Sequence, residues 1–403
     1  MNENIIKIKN NISKKRLEEL ITDLVGFKSE APPGNEYEAC IYLKELLQSI
    51  GFTVKMQEAA PNRFNVIGIL NGTNRTGKTL MYNGHIDVVP AGEENLWSAP
   101  PFSCTKVGNK IYGRGTSDMK GSIVSFIHAV EAVKNAGLEL EGNVIVALDV
   151  DEEVTNLGLK KMIQEGFPRA DYCIVGEPTN LEIAIGHRGV MAFEVEVFGR
   201  SVHAAQASNG INAIYQAKKL IEEIMLLDER LKAKADPLLG RPTINVTTIS
   251  GGIKVNVLPE SCKIMIDRRL VPGENRESCE RELQDIINSL KLKDDYFKCN
   301  YRITTYCPPG AISKEEKIVQ GLKKAIKLAT GEEAIIKGFE ATCEASLIME
   351  NANMPTVIFG PGSIAQAHNT DEYIEIQQLV KGSEIFATLL VTILNERSTS
   401  IDI

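Results

Sequence analysis

The chain has 403 residues, 43% of them apolar and 24% charged, with a formal net charge of −8 at pH 7. A chain of this length and composition divides into two or three domains with large buried cores, which excludes an extended disordered protein. The negative balance, with no dense Lys/Arg stripe to override it, argues against a nucleic-acid surface.

Met1 to Lys15 is polar and Asn/Lys-rich, with no apolar run of signal-peptide length. From Ser13 to Phe27 apolar residues recur at three- and four-residue steps (Leu17, Leu20, Ile21, Leu24, Val25), predicting a helix closed by Pro32-Pro33-Gly34. Glu36 to Ile50 repeats the pattern and ends at Gly51. Strands are predicted at Phe52 to Met56, Asn65 to Leu70 and Lys78 to Asn83, the last delivering the chain to Gly84-His85-Ile86-Asp87. After the glycine loop Gly113 to Asp118, Met119 to Ala136 reads as a buried helix with Asp118 near its N-cap. The apolar strand Asn143 to Asp149 hands over to Asp151-Glu152-Glu153, and a shorter one, Tyr172 to Val175, to Gly176-Glu177. Alternating strands and helices with polar residues at strand ends predict an open mixed α/β sheet whose site collects at the carboxyl edge.

The texture changes after about Leu181. Val190 to Phe198 alternates like a half-exposed antiparallel strand. A helix from Asn212 to Lys232, strands at Thr243 to Ile249 and Ser261 to Leu270, a helix at Glu274 to Leu290 and a strand at Phe297 to Thr305 complete a compact inserted α+β unit. The α/β pattern resumes with a helix at Lys314 to Ala329 and a strand at Pro355 to Phe359 ahead of Gly360-Pro361-Gly362; the Ser/Thr tail after Arg397 is expected to fray. Cys40, Cys104, Cys173, Cys262, Cys279, Cys299, Cys307 and Cys343 stand singly without a Cys-x-x-Cys pair, which fits reduced thiols in a cytoplasm. No apolar stretch of about 18 residues occurs, so no membrane partner is expected.

His85, Asp87, Asp118, Glu152, Glu153, Glu177 and His368 each sit where an apolar strand runs out or a glycine loop begins. Alone, each has an ordinary explanation: a surface histidine, a helix cap, a solvated acidic turn. Together they form an oxygen-rich set with two imidazoles, the mixture that holds a pair of divalent ions and leaves room for water. A hydrolase follows from that reading. His85 and Asp87, two apart beyond a strand, point the same way, so the Asp87 carboxylate is expected to hold the far nitrogen of His85. His128 and His187 are read as structural.

The order and wording of these segments, from Ser29-Glu30-Ala31-Pro32-Pro33-Gly34 to Ala367-His368-Asn369-Thr370-Asp371-Glu372-Tyr373, resemble the acetylornithine deacetylase and succinyl-diaminopimelate desuccinylase family, with its aminoacylase and carboxypeptidase relatives. The resemblance implies a discontinuous catalytic domain (1–183 and 306–403) and an inserted α+β, ferredoxin-like lid and dimerisation domain (184–305). It implies that His85 and Glu177 bind one metal, Glu153 and His368 the other, and that Asp118 bridges them. Glu152 would be the general base and Asp87 the buttress of His85. Zinc is the default ion, with cobalt or manganese as substitutes. His203, in Gly199-Arg200-Ser201-Val202-His203, matches a lid motif whose histidine reaches the partner subunit's site in relatives.

An amino-acid substrate carries a carboxylate that a guanidinium grips in two places. Arg268 and Arg269 end one strand and face opposite ways; the family wording Asp-x-Arg-x-x-Pro-Gly-Glu selects Arg269, with Asn256 as companion, and leaves Arg268 to a surface salt bridge. The turn at Gly360 and Gly362 could line the substrate with free backbone groups. Cys343-Glu344-Ala345 together with Gly360 to His368 looks more like the acetylornithine deacetylase branch. The expectation is therefore a cytoplasmic, homodimeric, dinuclear zinc hydrolase that cleaves the amide of an N-acyl amino acid. The alternatives are a dipeptidase or carboxypeptidase, an N-formyl or N-acyl amine amidohydrolase, and, outside catalysis, a ligand-binding protein without turnover, against which Glu152 and His203 count.

Overall fold

The computed structural model describes residues 2–74 and 77–395, so the tail expected to fray after Arg397 lies outside the described residues. The chain forms two compact units: Met1–Ile185 with Ile312–Lys337 and Cys343–Ile403, and Gly186–Ala311 with Gly338–Thr342.

In chain order the first unit opens with helices α1 (Asn2–Asn11), α2 (Lys14–Gly26) and α3 (Tyr37–Ile50), then strands β1 (Thr53–Ala60), β2 (Arg63–Leu70), β3 (Thr79–His85), β4 (Thr105–Val107) and β5 (Lys110–Tyr112). Helix α4 (Gly121–Asn135), strand β6 (Asn143–Asp149), helix α5 (Leu157–Gln164), strand β7 (Tyr172–Val175) and strand β8 (Ile183–His187) follow. The second unit is β9 (Gly189–Phe198), α6 (Ala213–Leu231), β10 (Thr243–Gly251), β11 (Ser261–Leu270), α7 (Arg276–Lys293), β12 (Lys298–Cys307) and the short β13 (Gly310–Ala311). The chain then adds α8 (Lys317–Thr330), β14 (Ile336–Phe339), α9 (Ala345–Ala352), β15 (Thr356–Ile358), β16 (Tyr373–Glu375) and α10 (Ile376–Leu394).

The main sheet of the first unit runs β1-β2-β6-β3-β7-β15-β8. Strands β6, β3, β7 and β15 are parallel to one another, and β1, β2 and β8 pair antiparallel at the flanks. Parallel central strands must be covered on both faces, and β3, β6 and β7 are accordingly almost wholly buried. Helix α4 is buried around most of its circumference, packed against α10 and α2. Tyr82 stacks on Phe126 with ring centroids 4.3 Å apart, and Phe386 meets Phe126 and Phe359 edge-on, which locks β3, β15, α4 and α10 into one core. The Ser383 hydroxyl donates to the Ser125 carbonyl, so small polar side chains let α10 lie close along α4.

In the second unit the antiparallel order β10-β11-β9-β12 in a β-α-β-β-α-β chain is the ferredoxin-like arrangement expected. Strand β9 alternates buried and half-buried residues along its whole length. Met191, Phe193, Val195 and Val197 on its inward face pack with Leu220 and Ile224 of α6 and Leu283 and Ile287 of α7 into a separate core. No helix among the described residues is long and apolar enough to cross a membrane.

Candidate metal centre

Because β6, β3 and β7 are parallel neighbours, the loops at their carboxyl ends emerge side by side, about 4.8 Å from strand to strand. His85 ends β3 in register with Asp149 of β6, two positions before the turn that carries Glu152 and Glu153. Glu177 follows β7 by two residues. Gly176 is required there, since a Cβ would stand 2.0 Å from the Tyr82 hydroxyl.

His85 is buried, with Nε2 3.1 Å from Asp118 Oδ1 and 3.8 Å from Glu177 Oε1. Its Nδ1–H donates to the backbone carbonyl of Asp87 at 2.9 Å, which fixes the ring with Nε2 facing the carboxylates. The expected contact from the Asp87 carboxylate is thus replaced by one from its carbonyl; Asp87 Oδ1 stands 3.9 Å from Nδ1. The carboxylate is engaged elsewhere, accepting the backbone N–H groups of Glu152 and Glu153 at 3.2 Å each. The other end of that turn is held by Arg63, whose guanidinium binds Asp151 and Glu36.

Asp118 does not cap α4. Its backbone is extended (φ −120°, ψ 99°) and the helix begins at Gly121, so its side chain turns away from the helix end toward the histidines. Oδ1 faces His85, and Oδ2 lies 3.5 Å from His368 Nε2. His368 Nε2 in turn lies 3.0 Å from Glu153 Oε2. Ligand atoms of His85, Asp118 and Glu153 fall within 4.8 Å of one another, as do those of Glu152, Glu177 and Glu344. Glu344, used in the sequence only as a branch marker, is fully buried, and neither of its oxygens meets an N–H or hydroxyl donor among the described residues.

Burial, and then the charge of Glu344, pushes the Glu152 carboxyl far above the usual range. Burial and then Asp118 do the same to Glu177 and, less strongly, to Glu153. Burial also raises Asp149 to about 7. Asp118 is pulled down against its burial by the His368 and His85 hydrogen bonds, and the hydrogen bonds of Asp118 and Glu153 raise His368 to about 10. Acidic groups crowded in a dry site around two imidazoles can shed their charge only by holding protons, and divalent cations are the partners that such oxygen and nitrogen donors accept in place of those protons. The donor set therefore fits a pair of metal ions.

The backbone N–H groups of Gly360 and Gly362, expected to be free, are engaged within the protein. Gly360 N–H donates to Thr179 Oγ1 at 3.2 Å and Gly362 N–H to Gln378 Oε1 at 2.6 Å, so neither is free. A Cβ on Gly360 would meet the Gly176 carbonyl at 2.5 Å; the glycine lets the turn press against the Glu177 loop.

In the second unit His203 is exposed, accepts the Ala205 N–H on Nδ1 and pairs with Val257, beside Asn256, whose carbonyl accepts the Ala204 N–H. Arg269 is partly exposed and ion-paired with Asp267 at 2.9 Å. Arg268 is buried, not superficial: Nη2 reaches Glu274 at 2.6 Å and Glu282 at 3.4 Å, because its side of β11 faces the core under α7. His128 and His187 are buried and hydrogen-bonded, as structural residues would be; His128 Nε2 accepts the Ser13 N–H at the start of α2.

A parallel sheet edge carrying clustered carboxylates and imidazoles defines a metal-dependent hydrolase by its class. Residues 81–392 match the model of peptidase family M20/M25/M40, and the chain belongs to that family. It is 30% identical to the acetylornithine deacetylase of Vibrio cholerae over 85% of this chain and 88% of that one. It is 29% identical to the N-formyl-4-amino-5-aminomethyl-2-methylpyrimidine deformylase of Halalkalibacterium halodurans over 94% of each, and 28% identical to a probable succinyl-diaminopimelate desuccinylase of Staphylococcus aureus over 96% and 99%. Among solved structures it superposes on a dinuclear metal binding peptidase of the M20 family from Bacillus subtilis with a TM-score of 0.71 at 17% identity, over 94% of this chain and 98% of that one. The protein is a hydrolytic amidohydrolase.

Proposed function

We propose that the protein is a cytoplasmic, dinuclear zinc-dependent deacylase that cleaves the amide bond of an N-acyl amino acid. The observation that carries this reading is the placement of Asp118, one oxygen toward His85 and the other toward His368. On it rest the remaining ligands, Glu177 on the His85 side and Glu153 on the His368 side. A pair of divalent cations, zinc by default with cobalt or manganese as substitutes, supplies Lewis acidity toward the amide carbonyl and the attacking water.

Glu152 takes the proton from the attacking water and passes it to the leaving amine, and the new acid's own proton goes on to that amine, so that amide and water become carboxylate and ammonium. Burial raises the proton affinity of its carboxyl, which suits a group that must hold the proton between the two steps. Asp87 fixes this base by holding the backbone of residues 152 and 153. In the inserted unit, proposed as the lid and dimerisation domain (184–305, the rest being catalytic), His203 donates to the oxyanion and Arg269 with Asn256 binds the substrate carboxylate. Family wording supports those three assignments. Homodimerisation is supported by the edge position of β10 and by the exposed Ile249, Ile253 and Val255 beside it.

A second reading, an N-formyl amine amidohydrolase, is favoured by the deformylase relative matched over 94% of both chains. Zinc-loaded protein assayed on acetyl-, succinyl- and formyl-amino acids, formylated amines and dipeptides decides between them. Turnover confined to dipeptides or formylated amines overturns the deacylase reading; no turnover of any amide overturns the assignment as a whole.

A further inference from the structure

We infer that Glu372 is a positioning residue that hangs the Asp118 loop and the His368 loop on one buried carboxylate; this rests on the dinuclear reading above. Glu372 is fully buried. Its Oε1 accepts the backbone N–H groups of Ser117 (2.8 Å) and Asp118 (3.1 Å). Its Oε2 accepts the Gly115 N–H (3.0 Å) and Arg114 Nη1 (2.7 Å). Arg114 continues the chain of contacts, donating from Nη1 to the Asn369 carbonyl at 3.2 Å and from Nη2 to the His368 carbonyl at 3.5 Å, with the Trp97 ring 5.1 Å from the guanidinium. The Gly113 N–H donates to the carbonyl of Glu372 itself at 2.8 Å.

These bonds fix backbone, not side chains. Asp118 can offer one oxygen to each histidine only if its extended backbone keeps its place, and the amides of residues 115, 117 and 118 are what Glu372 grips. His368 has a left-handed backbone (φ 63°), which a non-glycine residue keeps only when its surroundings hold it, and Arg114 binds the carbonyls of residues 368 and 369. Glu372 therefore couples two ligand loops that lie far apart in the chain, while standing outside the ligand set. Groups that orient metal ligands in this way are worth about 10- to 100-fold in metal affinity or activity.

The test is calorimetric titration of the metal-stripped full chain with zinc chloride, wild type against Glu372→Gln, in which an amide NH2 is forced against the backbone donors. The expected result is about 10- to 100-fold weaker zinc binding and a comparable fall in kcat, with KM little changed and activity recovered by excess zinc. A folded Glu372→Gln with wild-type zinc affinity overturns the inference. If that variant does not fold, Arg114→Lys is read by the same criteria, since an ammonium cannot span Glu372 and both carbonyls. A measurement free of any variant stands beside them: the amides of Gly115, Ser117 and Asp118 are expected to be exchange-protected in metal-stripped wild type, and rapid exchange there also overturns the inference. Wild-type protein that binds no zinc sinks the dinuclear reading itself, which separates the two failures.

Discussion

The Asp87 carboxylate accepts the backbone N–H of Glu153, and of Glu152 beside it, at 3.2 Å. One residue thus serves both ends of the centre, because its carbonyl takes the His85 Nδ1–H while its side chain holds the acidic turn. Asp87→Asn preserves the first bond and turns one oxygen of the second pair into a donor facing an N–H. A fall in kcat/KM of about 10- to 100-fold is expected, with the fold retained. Wild-type kcat/KM in that variant would show that the turn holds its shape without the carboxylate.

Glu152→Gln removes the proton acceptor while keeping its volume. Steady-state kinetics are expected to show kcat lower by about 10²- to 10⁴-fold, with two equivalents of metal still found by elemental analysis. Loss of metal together with activity would instead make Glu152 a ligand, in line with its place beside Glu177 and Glu344.

Chelation is expected to lower stability as well as activity. Glu152, Glu177 and Glu153 are pushed up by burial and by neighbouring charge, so cation binding relieves a cost that the folded chain otherwise carries. At free zinc about 100 times the dissociation constant the gain is about 3 kcal/mol. Differential scanning calorimetry before and after EDTA, with zinc added back, reads it directly; an unchanged Tm would contradict the fit of this donor set to metal.

His187 gives a pH signature away from the metal centre. Burial pulls its imidazole down to about 4, against its hydrogen bond to the Arg188 carbonyl. Above pH 6.5 both folded and unfolded chains hold it neutral and its contribution is complete. As pH falls from about 6.5 to about 4 only the unfolded chain gains the proton, so folding loses roughly 3 kcal/mol across that window and no more below it. Urea titrations of His187→Leu over this range should show a shallower pH slope than wild type. Equal slopes would refute the assignment.

Ile249, Ile253 and Val255 expose apolar area at or next to an edge strand, Ile253 and Val255 almost completely (91% and 99%). Sedimentation is expected to show a wild-type dimer and an Ile249→Lys monomer with zinc binding unchanged. A wild-type monomer at micromolar concentration would remove the homodimer from the proposal.

Strand ends were the part of this protein most readable from sequence, because a run of apolar residues that stops at a polar one marks both the strand and its site-facing edge. His85, Glu153 and Glu177 stand at or just beyond such ends. Helix α10 was not anticipated, although Ile385 to Leu394 is nearly continuous apolar sequence and most of the helix is buried; its small polar Ser383 and Thr388 blurred the periodicity. Helix α1 is hidden by its Asn and Lys residues, with Ile5 and Ile8 the buried positions among its described side chains. Arg268 was misplaced because a charged residue at a strand end is ordinarily solvated, and only the tertiary fold supplies Glu274 and Glu282 around it. Glu344 and Glu372 stand in segments that carry only the family resemblance: what each of them touches comes from loops distant in sequence.

Gly186 and His187, where the chain enters the second unit, pair in register with Ala311 and Gly310, where it leaves. The start and finish of that unit's main segment, 186–311, are therefore neighbours on adjacent strands, and its apolar interior is drawn from that segment alone. A segment whose ends meet like this is open to exchange by genetic grafting, provided that Gly338–Thr342, which joins the same unit from later in the chain, is carried with it.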